Sequence, residues 1–165
     1  MEILDSGSRR TFKSGAVRDI QENKGRCDLL PLEEVASLLQ TPSDKVLEHI
    51  NSYVRGGDIS HILAALAEFI VKGYDNNVPT AMLEVAKHYE QGSLKYKERN
   101  WESGIDLHCY IDSGVRHYLK YLRGDNDEPH VRAVIWNLLG AIWTHKNRTE
   151  CIDLPFKTDK ENEDG

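Results

Sequence analysis

At 165 residues with a formal net charge of −6, the chain suits one domain whose core needs neither disulfides nor a structural metal. It lacks the basic balance by which a general nucleic-acid binder exchanges counterions with phosphates, although a local basic pocket for a small anion stays compatible. Cys27, Cys109 and Cys151 are odd in number, widely spaced and in no C-x-x-C pair, which argues against a disulfide framework or zinc site and for reduced thiols in a cytosol. The N-terminus has no apolar leader, and no run approaches the ~18 apolar residues of a bilayer span, so a soluble intracellular protein is expected.

In chain order, residues 1–10 read as a polar start. Residues 11–30 contain two glycines and interleaved charges without helical period, an ordered arm with a short strand at 15–18. Pro31 opens a short amphipathic helix with Leu32, Val35, Leu38 and Leu39 on its apolar side. Residues 43–79 read as an inserted helical hairpin, its two helices starting at Ser43 and Asp58 with Gly56-Gly57 between them. The stripe Ile59, Ile62, Leu63, Leu66, Phe69 and Ile70 is a core stripe. The next helix begins near Pro79 and ends in the stretch from His88 to Gly104.

That stretch, HYEQGSLKYKERNWESG, organises the functional reading. Its helical half sets Met82, Val85, Ala86, Tyr89 and Tyr96 on one side and Glu84, Lys87, His88, Gln91 and Lys95 on the other. Gly92 falls where a second element would approach closely. Lys95, Lys97, Arg99, Asn100 and Trp101 then bring cations, an amide and a large ring together, which is pocket chemistry for an anion and a base. The same residues also suit an ordinary helix C-terminus, with cations complementing the dipole and Trp101 covering the core edge.

A helix over 107–122 puts Ile111, Val115, Tyr118 and Leu122 on the core side, and His108, Asp112, Arg116 and Lys120 in a row on the other, with His117 beside it. Asp112 and Arg116 are either a surface i, i+4 pair or a carboxylate holding an arginine towards a phosphate. Asp127 is expected to cap the last helix, with Glu128 and Pro129 in its first turn. That helix is apolar nearly all round and should be the most buried. His130, Asn137 and Thr144 stand seven apart on it, and Asn137 is either a core specificity device or a base reader. After Asn147 the chain turns polar, and 152–165 reads as a flexible tail. The expected fold is mainly α: one domain, a helical bundle with a short N-terminal β or extended arm and the inserted hairpin.

No P-loop, dinucleotide turn, nucleophile elbow or H-E-x-x-H pair occurs in the sequence. A magnesium-dependent hydrolase would need several carboxylates on facing helices. The candidates are Glu33, Glu34, Glu84, Glu90, Asp112, Asp127 and Glu128, without the paired acidic spacing such a cage uses. A binder needs only cations, amides and rings, and Tyr89, Lys95, Arg99, Asn100, Trp101, Arg116 and Lys120 provide them with no catalytic group.

The segments FKSGAVRD, KGRCDLLP, HYEQGSLKYKERNWESGI, DSGVRHYLKYLRGDNDEPH and AVIWNLLGAIWT resemble phage proteins grouped with the dATP/dGTP diphosphohydrolase N-terminal domain, a MazG-like all-helical family. The likeness covers residues 12–40 and 80–145, with 12–40 and 80–147 as family core. It extends to the first Thoeris anti-defence family, phage proteins that sequester cyclic ADP-ribose signals. Resemblance to the hydrolase branch implies Mg²⁺-dependent pyrophosphate release from a purine deoxynucleotide, with Asp112, Asp127 and Glu128 as the acids available; the chain departs from the MazG-like acidic pairs. Resemblance to the anti-defence branch implies a homo-oligomer in the host bacterial cytoplasm that holds a small cyclic nucleotide, glycocyclic ADP-ribose, between protomers. It implies no turnover, metal, cofactor, long nucleic acid or membrane. The carried-over roles are Tyr89 as stacking ring, Asn100 as base or ribose contact, and Arg116 with Lys120 as phosphate clamps.

Overall fold

The computed structural model describes residues 2–5, 7–20, 22–40 and 42–156; of the two expected tails, residues 157–165 lie outside the described part. Among the described residues a two-stranded antiparallel hairpin precedes six helices: β1 (Arg9–Thr11), β2 (Val17–Asp19), α1 (Leu32–Leu39), α2 (Lys45–Gly56), α3 (Ser60–Tyr74), α4 (Val78–Lys95), α5 (Leu107–Arg123) and α6 (His130–Asn147). This is the mainly α bundle with an N-terminal β arm. The arm is a full hairpin, with Arg9 opposite Asp19 and Thr11 opposite Val17. Phe12 and Ala16 at its turn are buried, so β1 starts inside the span that reads as a polar tail.

Helix α6 packs against α3, α4 and α5. Ten of its residues are buried, including His130, Asn137 and Thr144, as its apolar circumference requires. Gly140 lets α5 approach closely, since a β-carbon there would overlap the Tyr110 ring. Gly92, expected to serve such an approach, has open space around it. On α4 the burial is also rotated from the expected face: Ala86 is exposed and His88 is buried.

The hairpin of α2 and α3 is part of the core. Phe69 is fully buried and meets the rings of Tyr118 and Tyr121 edge-on at 5.7 and 5.4 Å, so α3 packs directly against α5. The cap of α2 is Asp44, one residue beyond the expected Ser43. It accepts from the Leu47 amide at 3.0 Å and from the Tyr118 hydroxyl at 2.5 Å, so one buried carboxylate closes a helix end and joins α2 to α5. In α1 the buried residues are Leu32 and Ala36, whereas Leu38 is exposed. Asp127 does not cap α6; its carboxylate is 2.8 Å from His130 Nε2 instead.

Gly140→Ala should lower stability by about 1–3 kcal/mol through overpacking against Tyr110, despite a helix-propensity gain of about 1 kcal/mol. Gly92→Ala, with the same propensity gain and no neighbour, should raise it. Paired urea denaturation curves check both signs.

Candidate functional site

A cleft of about 900 Å³ opens between the N-terminal arm and the bundle, within the size range of small-molecule sites. Helix α4 and the following turn supply one wall through His88, Tyr89, Lys95, Tyr96, Asn100 and Trp101. Helix α5 supplies Ser113, Arg116, His117 and Lys120, and α6 supplies Ala133, Trp136 and Asn137. The arm closes it with Val17, Arg18, Asp19 and Lys24. Seven lysine and arginine side chains line it against five acids, so the cleft is locally cationic on a chain of net charge −6.

The arm is stitched to the bundle by polar bonds. Buried Asn100 accepts from the Val17 amide at 3.0 Å and donates to the Val17 carbonyl at 2.9 Å, acting as a one-residue partner strand for β2. Lys95 Nζ and the Tyr96 hydroxyl donate to Asp19 at 2.8 and 3.1 Å. The loop after β2 is latched to α5. Asp112 accepts from the Cys27 amide at 2.6 Å and pairs with Arg116 at 2.5 Å, and Arg116 donates to the carbonyls of Lys24 and Gly25 at 3.1 and 2.6 Å.

Arg18 crosses the inside of the cleft. Its guanidinium lies 5.4 Å from the centroids of both the Tyr110 and Trp136 rings, which are themselves 5.6 Å apart, so the cation meets two neighbouring rings from one side. Its Nη2 donates to Asn137 Oδ1 at 3.1 Å, while Asn137 Nδ2 donates to the Ala133 carbonyl; Asn137 is thus an orienting device for Arg18. Arg18 Nη1 and His88 Nδ1 are buried without a partner in the described protein. Burial, with the cations Arg132, Arg18 and Lys95 nearby, pushes the His88 pKa down to about 4, so the ring is neutral at physiological pH. Burial likewise lowers His117 to about 3, with His130 and His88 adding to the effect. The aromatic surface continues from Trp136 to Tyr89 and Trp101, with Trp101 edge-on to Trp143 at 5.0 Å.

All seven residues singled out from the sequence as ligand-binding, Tyr89, Lys95, Arg99, Asn100, Trp101, Arg116 and Lys120, line this one cleft. Several are already engaged. Both polar atoms of Asn100 are held by Val17, and Arg116 serves the loop latch. Lys95 pairs with Asp19, Arg99 with Glu102, and Lys120 with Asp127 and Glu128. Sequence reasoning passed over Arg18, Lys24, His88 and Trp136. Arg18 and Lys24 sit in an arm without helical period, and His88 was placed on the polar face of α4.

The acids named for a magnesium cage do not assemble. Asp112 is fully buried, bonded to Cys27 and Arg116, and in none of the acid and histidine clusters of the described residues that could hold a cation. Asp127 faces His130 and Lys120. Each such cluster includes an imidazole, whereas Mg²⁺ takes oxygen ligands. The residues present do not fit a magnesium site of Asp112, Asp127 and Glu128.

Fold and site together define a helical-bundle protein with a cationic, aromatic-walled cleft, and no described helix is long and apolar enough to cross a membrane. The profile of the family described as dATP/dGTP diphosphohydrolase, N-terminal, matches residues 60–153, more than half of the chain, and the protein belongs to that family. The match starts at the first residue of α3 and includes α4, α5 and α6, which form three sides of the cleft; the arm lies outside it. No curated protein and no solved structure matches the chain.

Asp112→Ala should cost about 3–5 kcal/mol, the range for breaking a buried pair, rather than the few tenths of an exposed i, i+4 pair. Urea midpoints measure this, and faster native-state proteolysis within residues 20–30 should accompany it. Stability should also fall as pH drops from about 6.5 towards 4. The unfolded His88 takes up a proton in that window while the folded one, with its lowered pKa, does not. His88→Gln should flatten that slope in pH-dependent denaturation curves.

Proposed function

We propose that the protein is a phage anti-defence protein that binds a cyclic ADP-ribose-type immune signal, glycocyclic ADP-ribose, in this cleft. By sequestering the signal without degrading it, the protein blocks Thoeris immunity in the host bacterial cytoplasm. The observation that carries the reading is the unpaired Arg18 Nη1 and His88 Nδ1 in the lining of one cationic, aromatic cleft. A buried polar atom without a partner costs about 1–3 kcal/mol, a cost that a phosphate or base atom of matching hydrogen-bond character would relieve on reaching it. The Tyr89, Trp101 and Trp136 rings offer faces to a purine, and Arg18, Lys24 and Lys97 supply cations for a pyrophosphate. The engaged cations Arg116 and Lys120 act mainly by shaping the site. Exposed Leu83 and Leu94 on α4 support assembly into a homo-oligomer with the clefts near its subunit contacts.

A second reading, a MazG-like dATP/dGTP pyrophosphohydrolase, rests on membership of the family that bears that description. That Asp112, Asp127 and Glu128 do not assemble into a magnesium cage counts against it.

Two measurements separate these readings. Protein incubated with glycocyclic ADP-ribose, freed of unbound ligand and heat-denatured should release intact signal; a cleaved product overturns sequestration. Incubation with dATP or dGTP and Mg²⁺ or Mn²⁺ should release no pyrophosphate, and steady release establishes the hydrolase instead. Arg18→Ala should weaken signal binding about ten- to a hundredfold, the equivalent of one charged hydrogen bond, by isothermal titration.

A further inference from the structure

We propose that His117, Glu128 and His130 form a binding site for one divalent transition-metal ion, of the zinc, cobalt or manganese class, in the wall of the cleft. The two Nδ1 atoms face each other at 2.9 Å, with ring centroids 5.2 Å apart. One ligand atom from each imidazole and a Glu128 carboxylate oxygen all lie within 4.8 Å of one another. Ligand atoms sharing a tetrahedral zinc are about 3.3 Å apart, given metal–nitrogen bonds of about 2.0–2.1 Å, so the imidazoles need open by only a few tenths of an ångström.

The surroundings have the form that metal-binding histidines use. His130 is buried, and its Nε2 is 2.8 Å from Asp127 Oδ1. A carboxylate there holds the proton on Nε2 and leaves the Nδ1 lone pair turned to the site. In the metal-free protein the proton between the rings then belongs to His117 Nδ1. Metal binding moves it to His117 Nε2, a change of tautomer with no net proton loss.

His117 and Glu128 both line the cleft while His130 lies behind them, so a bound ion would keep an open coordination position towards the cleft, where a phosphate or water oxygen fits. Two imidazoles and one carboxylate suit borderline metals better than Mg²⁺. Two cations oppose the ion: Arg116, whose charge acts on His117, and Lys120, whose Nζ is 3.8 Å from a Glu128 oxygen and 3.3 Å from Asp127. Lys120 must move towards Asp127 for the site to fill.

The site stands or falls independently of the nucleotide reading, because it is tested without nucleotide. Chelator-treated full-length protein is titrated with Co²⁺. The expected result is visible d–d absorption that saturates at one ion per chain and is displaced by Zn²⁺, with Mg²⁺ in excess having no effect. His117→Gln and His130→Gln should each weaken Co²⁺ binding at least tenfold. Glu128→Gln, a near-isosteric change at a half-buried position, should weaken it about tenfold. Zn²⁺ should raise the melting temperature of the wild type and not of a folded Glu128→Gln protein. No saturating band, or binding and stabilisation unchanged in Glu128→Gln, overturns the proposal in favour of a plain histidine–histidine hydrogen bond.

Discussion

The pairing of Asp112 with Arg116 is the interaction on which the cleft depends. A carboxylate with no exposed surface is tolerated only when its charge is compensated and its lone pairs filled. Here one oxygen takes the Cys27 amide and the other the Arg116 guanidinium, whose remaining donors reach the carbonyls of Lys24 and Gly25. Two side chains one turn apart on α5 thus satisfy three backbone groups of a loop that has no regular ladder of its own. The loop is held where Lys24 faces the cleft, and the strand before it is fixed with Arg18 turned inwards.

The same logic runs through the other stitches. Asn100 gives Val17 the two hydrogen bonds a neighbouring strand would give, and Asp19 collects Arg9, Lys95 and Tyr96. Helix α4 and the turn after it therefore hold the arm through groups whose composition reads as ligand chemistry. Cations and amides that fix a chain segment and those that grip an anion are the same residue types. What separates them is whether their donors are already filled. By that criterion Arg18 carries more of the proposed binding role than Arg116 or Asn100.

This is also why the fold was more legible in the sequence than the site. Helix α6 announces itself by apolar residues on all sides, α3 by its Ile62, Leu66, Phe69 and Ile70 stripe, and the turns on either side of α3 by Gly57 and Asp75, both in the left-handed region. These are local signals with a fixed period. In the stretch from His88 to Trp101 the crowding of cations and rings is visible in the sequence, and the fold sets that stretch along the cleft. The far wall is not visible there, since Arg18 and Lys24 reach the cleft through contacts about ninety to a hundred and twenty residues away in sequence, and no periodicity encodes such pairings. The burial of His88 and the exposure of Ala86 show a second limit. Where one helix face is shared between core and cleft, hydropathy alone cannot fix the rotation of the helix to within one residue.

An arm held mainly by polar bonds differs in kind from a helix held by an apolar face. The bundle is secured by buried rings and aliphatic chains, whereas the described arm contributes Phe12 and Ala16 to the core with Cys27 packed against it. It is therefore the element expected to open at a lower free energy than the bundle beneath it. In the proposed binding role a ligand seated between the two touches both, so its binding energy adds to the latch and favours the arm in the position seen here. Under the proposed binding role the unpaired Arg18 Nη1 and His88 Nδ1 sharpen that coupling, since leaving them unmet weakens the empty protein and a ligand atom that reaches them relieves the cost. For the proposed sequestering role that difference matters, because residence time is set by how much closing the filled cleft gains over closing the empty one.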